Sequence, residues 1–108
     1  MKEFTLNADF GMIASDNSFS LYGIHTGDTI MFKKVKDFPA DGSLVAVIID
    51  NGSIALKRIS YAHELELLYL EGGSSREETI FIGPADLPRL KVLGMAVSVI
   101  HSLAPVEE

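Results

Sequence analysis

Ser43-Leu44-Val45-Ala46-Val47-Ile48-Ile49-Asp50-Asn51-Gly52-Ser53-Ile54-Ala55-Leu56-Lys57-Arg58-Ile59-Ser60 is the stretch whose reading decides the fold class. Residues 43–50 form an unbroken apolar run of strand length, rich in β-branched side chains that suit a pleated sheet. Asn51-Gly52 follows, a pair that supplies the backbone freedom a hairpin turn demands, so a return strand is predicted over 53–60. Successive side chains of a strand point to opposite sides. Ile54, Leu56 and Arg58 therefore share one face, and Ala55, Lys57 and Ile59 the other. Lys57 lies between two apolar neighbours, which is a placement for a buried lysine.

Upstream, Phe10–Ala14 reads as a short strand after an extended lead-in over residues 1–8. Ser15 or Asp16 is placed to cap a short helical turn, and Gly23 to stop it. Thr26-Gly27-Asp28 reads as a turn, with Asp28 capping it before a strand over Thr29–Val35. Asp37–Ser43 holds Pro39, Asp41 and Gly42 and is a loop. Downstream, Glu64–Glu71 reads as a further strand of the meander and residues 72–78 as a flexible loop. Thr79–Ile82 reads as a short strand and Gly83–Pro88 as a turn region with one helical turn. Leu90–Leu103 is a long apolar segment whose Gly94 marks a bend or bulge. Residues 104–108 form a polar tail expected to fray. The chain is predicted to be mostly β, with seven or so short strands and at most very short helices. A barrel, a sandwich and a set of small coiled antiparallel sheets all remain open to this pattern.

A length of 108 residues suits one domain with one core, so residues 1–108 are read as a single unit. The apolar fraction of 47% and charged fraction of 22% are those of an ordinary globular protein. Fifteen acidic residues against nine basic ones give a net charge of -6, and no cluster of Lys or Arg is large enough to neutralise several phosphates. Binding of nucleic acid by this chain alone is not expected. The absence of cysteine removes disulfides, thiolate metal sites and a cysteine nucleophile, and fits a reducing compartment. The longest apolar run, Leu44–Ile49, is too short to span a bilayer, and the N-terminus lacks the regions of a signal peptide. A cytoplasmic protein with no membrane partner is the expectation.

Ser15-Asp16-Asn17-Ser18-Phe19-Ser20 places small hydroxyl residues just before a glycine-rich turn, and Ser18 is the candidate nucleophile. A serine hydroxyl needs a base to take its proton, and a lysine serves as that base only when its amine is unprotonated. Burial favours the uncharged amine, and the strand over 53–60 offers Lys57 that burial. On spacing alone such a pair occurs in most domains.

The run Asn17-Ser18-Phe19-Ser20-Leu21-Tyr22-Gly23-Ile24-His25-Thr26-Gly27-Asp28, followed after the hairpin by Leu56-Lys57-Arg58-Ile59, resembles the C-terminal domain of LexA-type repressors, phage repressors and UmuD-like proteins. In that family the nucleophilic serine is followed by methionine and, a few residues later, by Gly-Ile and Gly-Asp. The general-base lysine is followed by arginine and an apolar residue. Val92-Leu93-Gly94-Met95-Ala96-Val97-Ser98-Val99-Ile100 resembles the family's closing strand, so the likeness covers roughly Asp9 to His101. It implies a LexA/signal-peptidase-like fold of small coiled sheets and a self-cleaving peptidase with Ser18 as nucleophile and Lys57 as general base. It also implies oxyanion support from the backbone at Asn17 and Ser18, and site-supporting roles for Phe19, Gly23, Gly27 and Asp28. No cofactor and no metal are implied. A homodimer through the strand at 90–103 and a RecA-type activator of the parent repressor are the implied partners.

The departures are specific. Phe19 stands where methionine is usual, and Asp16-Asn17 where glycine with Asp or Met is common; neither removes the dyad. The family cuts itself at an Ala-Gly or Cys-Gly bond, and neither pair occurs here. The residues before Ser18 are too few for that linker and a helix-turn-helix, so the expectation is a catalytic part acting within a longer parent or in trans. The rival reading is a catalytically silent dimerisation module of the same fold. A signal-peptidase relative shares the chemistry but expects a membrane anchor. His25, His63 and His101 are scattered and read as surface or structural residues. Glu64, Glu66, Glu71, Glu77 and Glu78 read as a solvated face, and Gly72-Gly73-Ser74-Ser75 lacks the lysine and helix start of a phosphate cradle.

Overall fold

The structure, a computed structural model, describes residues 8–74 and 79–103. Most of the lead-in (1–7), Glu77 and Glu78 of the acidic face, and the tail at 104–108 lie outside the described residues. The chain is mostly β. Seven strands, β1 (Phe10–Ile13), β2 (Thr29–Lys33), β3 (Leu44–Ile49), β4 (Ala55–Ala62), β5 (Leu67–Glu71), β6 (Ile80–Ile82) and β7 (Leu90–Ile100), form one antiparallel sheet in the order β1-β2-β7-β3-β4-β5-β6. Helical structure among the described residues is confined to 3-10 turns at Ser20–Tyr22, His63–Leu65 and Pro84–Arg89.

The hairpin that anchors the reading forms, with a different turn. Asp50 and Asn51 carry the positive φ angles, 53° and 60°, and the Gly52 N–H donates to the Ile49 carbonyl at 2.9 Å. The tight turn thus centres on Asp50-Asn51, one residue earlier than Asn51-Gly52, and β4 begins at Ala55 instead of Ser53. The cause is the end of β3. Ile48 and Ile49 pair with Lys91 and Leu90 of β7, while the register with β4 starts at Val47↔Ala55. Arg89 then closes the corner, its guanidinium reaching both Asp50 carboxylate oxygens at 2.7 Å. This bidentate pair holds the Asp50 carboxyl below its ordinary pKa.

β3 is apolar throughout because both its faces are covered. Val45 and Val47 join Ile59, Leu68, Leu70 and Ile82 in one buried cluster, whereas Ala46 joins Phe19, Ile24, Ile30 and Phe32 in a second. Phe32 stacks on Phe10 at 5.1 Å between ring centroids, which ties β1 to the second cluster. β7 links the two halves: residues 90–95 pair with β3 and residues 95–100 with β2. Its register slips by one residue on each side, leaving Leu93 and Val97 without an opposite number, and such bulges bend a strand. Gly94 lies between them. A Cβ there would sit 2.9 Å from the Lys33 carbonyl oxygen and 2.9 Å from Cε1 of Phe10, so the bend is packed too tightly for a side chain.

Other differences are local. The short helical turn expected between a cap at Ser15 or Asp16 and Gly23 is confined to Ser20–Tyr22, with no side-chain cap, and Gly23 stops it in the left-handed region at φ 79°. The strand expected from Glu64 begins at Leu67, because His63–Leu65 takes a 3-10 turn closed by Glu66 at φ 52°. No helix among the described residues is long and apolar enough to cross a membrane.

Candidate active site around Ser18 and Lys57

Residues 15–27 make a loop excursion between β1 and β2 whose ends are tied together. The Ala14 N–H donates to the Asp28 carbonyl at 2.8 Å and the Gly27 N–H to the Ala14 carbonyl at 2.9 Å, continuing the β1–β2 ladder past Ile13. Gly27, at φ 92°, makes the turn that this return requires. Asp28 is the anchor of the loop. Only 4% exposed, it accepts the His25 N–H at 2.9 Å and the Ser102 N–H at 3.0 Å, and pairs with His101 Nδ1 at 2.8 Å. Those hydrogen bonds, the one from His25 first, hold its carboxyl down at about 2. Asp28 does cap its turn, and it also fastens the end of β7 to the loop.

Inside the excursion, Asn17 Oδ1 accepts the Thr26 N–H at 2.9 Å, and the Asn17 carbonyl accepts the Ser20 N–H at 3.0 Å. Phe19 is 3% exposed, packs in the second cluster and lies 5.5 Å from the Tyr22 ring. Its carbonyl accepts the N–H groups of Tyr22 and Ile24. Phe19 therefore roots the loop in the core, and Ser18, its half-buried neighbour, is carried at a fixed place on the surface.

Lys57 is half-buried on β4, opposite Val45 of β3. Arg58, next in the chain, bonds Glu71 of β5 at 3.2 Å, and the Ser60 hydroxyl donates to the same carboxylate at 3.4 Å. Those contacts lie where the β4–β5 register begins, at Arg58↔Glu71. From Ala55 to Lys57, β4 has no described strand on its β5 side. A pocket of about 210 Å³ opens there, lined by Met12–Asp16, Ser18, Phe19, Ile30 and Ile54–Lys57. Ser18 and Lys57, far apart in sequence, line this one pocket together.

Asp16, expected as a cap and as a departure from the family pattern, governs the local polar chemistry. Its Oδ1 accepts the Ser18 N–H at 2.9 Å, and hydrogen bonds from the Ser18 backbone and side chain hold its carboxyl below the ordinary range. The Ser18 N–H expected to face an oxyanion is thus engaged by a carboxylate. Gly73, in a stretch expected to be a flexible loop, lies against the Ser18 backbone. The consecutive glycines at 72 and 73 were the available signal for a close approach. Among the described residues no group of three or more His, Asp or Glu is arranged to hold a metal ion. A second, largely apolar pocket of about 270 Å³ lies at the other end of β4, between Phe38, Tyr61, His63 and Leu87; the Tyr61 hydroxyl there donates to the Pro39 carbonyl at 2.6 Å.

No family model matches the chain, and no curated protein matches it.

Proposed function

We propose that this chain is a Ser-Lys peptidase domain of the LexA-like kind, in which Ser18 is the nucleophile and Lys57 the general base. The observation that carries the reading is the shared pocket, walled by Met12, Ile13, Ile54 and Leu56, which Ser18 and Lys57 line together. In the acylation step the Ser18 Oγ bonds to the scissile carbonyl carbon while its proton passes to the unprotonated Lys57 amine, and the carbonyl π pair moves onto oxygen. Collapse of that adduct breaks the C–N bond, and the Lys57 ammonium returns the proton to the leaving nitrogen. Water then attacks the acyl ester, giving its proton to Lys57, and the departing Ser18 alkoxide recovers it. The developing oxyanion needs a donor. The Ser18 N–H fills that role once the substrate carbonyl displaces the Asp16 carboxylate from it.

The test is reaction of the folded chain with an alkyl fluorophosphonate, located by mass spectrometry, alongside cleavage of a library of unstructured peptides at raised pH. Modification at Ser18 and peptide cleavage are expected, each falling by about 10²-fold or more in Ser18→Ala and Lys57→Ala. Cleavage that survives either substitution would rule out the dyad.

A second reading, compatible with the first, is a dimerisation module. Its supporting observation is on β7. Along Ala96–Ile100 no described strand is registered on the β3 side, and Val97 and Ile100 are apolar and exposed. A second copy of the chain placed there pairs this edge and covers those side chains.

A further inference from the structure

We infer that Gly73 is a positioning residue of the Ser18–Lys57 site, the point at which the segment after β5 clamps the nucleophile loop beside the strand that carries the base. The inference rests on the peptidase reading and adds to it a requirement on a residue that no reacting atom touches. A Cβ at Gly73 would fall onto the Ser18 carbonyl oxygen, 2.5 Å from the carbonyl carbon and 2.7 Å from Cδ2 of Phe19. Those separations lie well inside van der Waals contact. The need is for space and not for backbone freedom, since Gly73 is not among the positive-φ glycines Gly23, Gly27 and Gly42.

Neither neighbour is free to yield. The Ser18 N–H is held by Asp16, and the Phe19 carbonyl by two loop amides. The Phe19 ring is packed in the core at 3% exposure. A methyl group at position 73 must therefore move Ser18 itself or lift its own segment away. Either movement changes the site, because of where the segment runs. Glu71 is the last β5 residue registered on β4, opposite Arg58. Gly73 follows two residues later, on the side of β4 where Ala55–Lys57 have no described strand partner. One short segment is thus registered to the strand of Lys57 at one end and pressed against the backbone of Ser18 at the other, which sets the separation of nucleophile and base.

The experiment is the rate and pH dependence of Ser18 modification by an alkyl fluorophosphonate in the full chain. There the Ser18 oxygen bonds to phosphorus, fluoride leaves, and the hydroxyl proton passes to Lys57. Far-UV circular dichroism and the thermal midpoint report folding. Gly73→Ala is expected to react about 10²-fold more slowly, the cost of a misplacement of about 1 Å. It is also expected to lose the rise of rate with pH that Lys57→Ala loses. Gly83→Ala, whose methyl meets only Leu67 Cδ2 at 3.8 Å, is expected to keep the wild-type rate and pH profile. Where Gly73→Ala lowers stability, the rates are compared at a temperature well below both midpoints, so that they report the folded chain. A Gly73→Ala rate and pH profile equal to wild type, with Lys57→Ala still impaired, would overturn the positioning role and leave the dyad standing. Failure of the unaltered chain to react at Ser18 would remove the dyad and the positioning role together.

Discussion

Asp28 ties two separate pieces of chain together through a single buried carboxylate: its own turn at His25, and the end of β7 through the imidazole of His101 and the backbone N–H of Ser102. A carboxyl held at about 2 in the folded chain, against an ordinary value of 3.8, favours folding wherever it is ionised. The folded value is the lower one, so this contribution is complete above about pH 4 and disappears as the pH falls toward about 2. Thermal denaturation across that interval is expected to show a steep loss of midpoint for the unaltered chain. Asp28→Asn should start from a lower midpoint near neutrality and fall less steeply. Equal slopes would mean that another carboxylate controls the acid response. The turn-capping role of Asp28 was readable from Thr26-Gly27-Asp28, because a capping aspartate acts on neighbours in the chain. Its bonds to His101 and Ser102 were not, since they join residues brought together only when β7 lies beside β2. Ser18 and Lys57 were nominated from their own neighbours in sequence. Asp16 is readable as a cap, and its carboxylate does accept the N–H two residues on, although the 3-10 turn at Ser20–Tyr22 itself has no side-chain cap.

Among the elements, β7 does most to shape the fold. Its two bulges let a single strand serve β3 with one half and β2 with the other, and Gly94 is the hinge between them. The Lys33 carbonyl and the Phe10 ring that crowd Gly94 are backbone and core, neither of which moves cheaply. Gly94→Ala is therefore expected to cost about 1–3 kcal/mol, as an overpacked site does, with urea unfolding as the measurement and Gly83→Ala as the control. A bend at Gly94 was legible in the sequence as a lone glycine in a β-branched run. The slips at Leu93 and Val97 were not, because register depends on which partner strand each half meets. The β3–β4 hairpin shows the same division. Its existence followed from two apolar runs about Asn51-Gly52, whereas the displacement of the turn to Asp50-Asn51 came from the pairing of Ile48 and Ile49 with β7 and from the clasp of Arg89.

At the scale of the molecule, one sheet carries two buried clusters, and the candidate site lies where they meet along the open side of β4. Phe19 brings the loop of Ser18 into the second cluster, while Ala55 and Ile59, flanking Lys57 on its face of β4, pack with the first. The separation of Ser18 and Lys57 therefore depends on both halves of the sheet. The exposed apolar residues at the end of β7 belong to this scale too. If they form the interface of a dimer, sedimentation equilibrium should show a dimer for the unaltered chain and a monomer for Val97→Lys, with circular dichroism unchanged. A monomer in both would remove the dimer reading without touching the peptidase one.

The mostly β class, the hairpin around residues 50–52, the loop carrying Ser18 and the strand carrying Lys57 were all set by the sequence alone. Each rests on interactions between residues near one another in the chain: alternation, turn chemistry and β-branched runs. Tertiary structure decided the order of the strands, the two bulges of β7, the burial of β3 on both faces, the partners of Asp28 and the contact of Gly73 with Ser18. Those are properties of residues distant in sequence, and only the packing of the whole chain brings them within a few ångströms of one another.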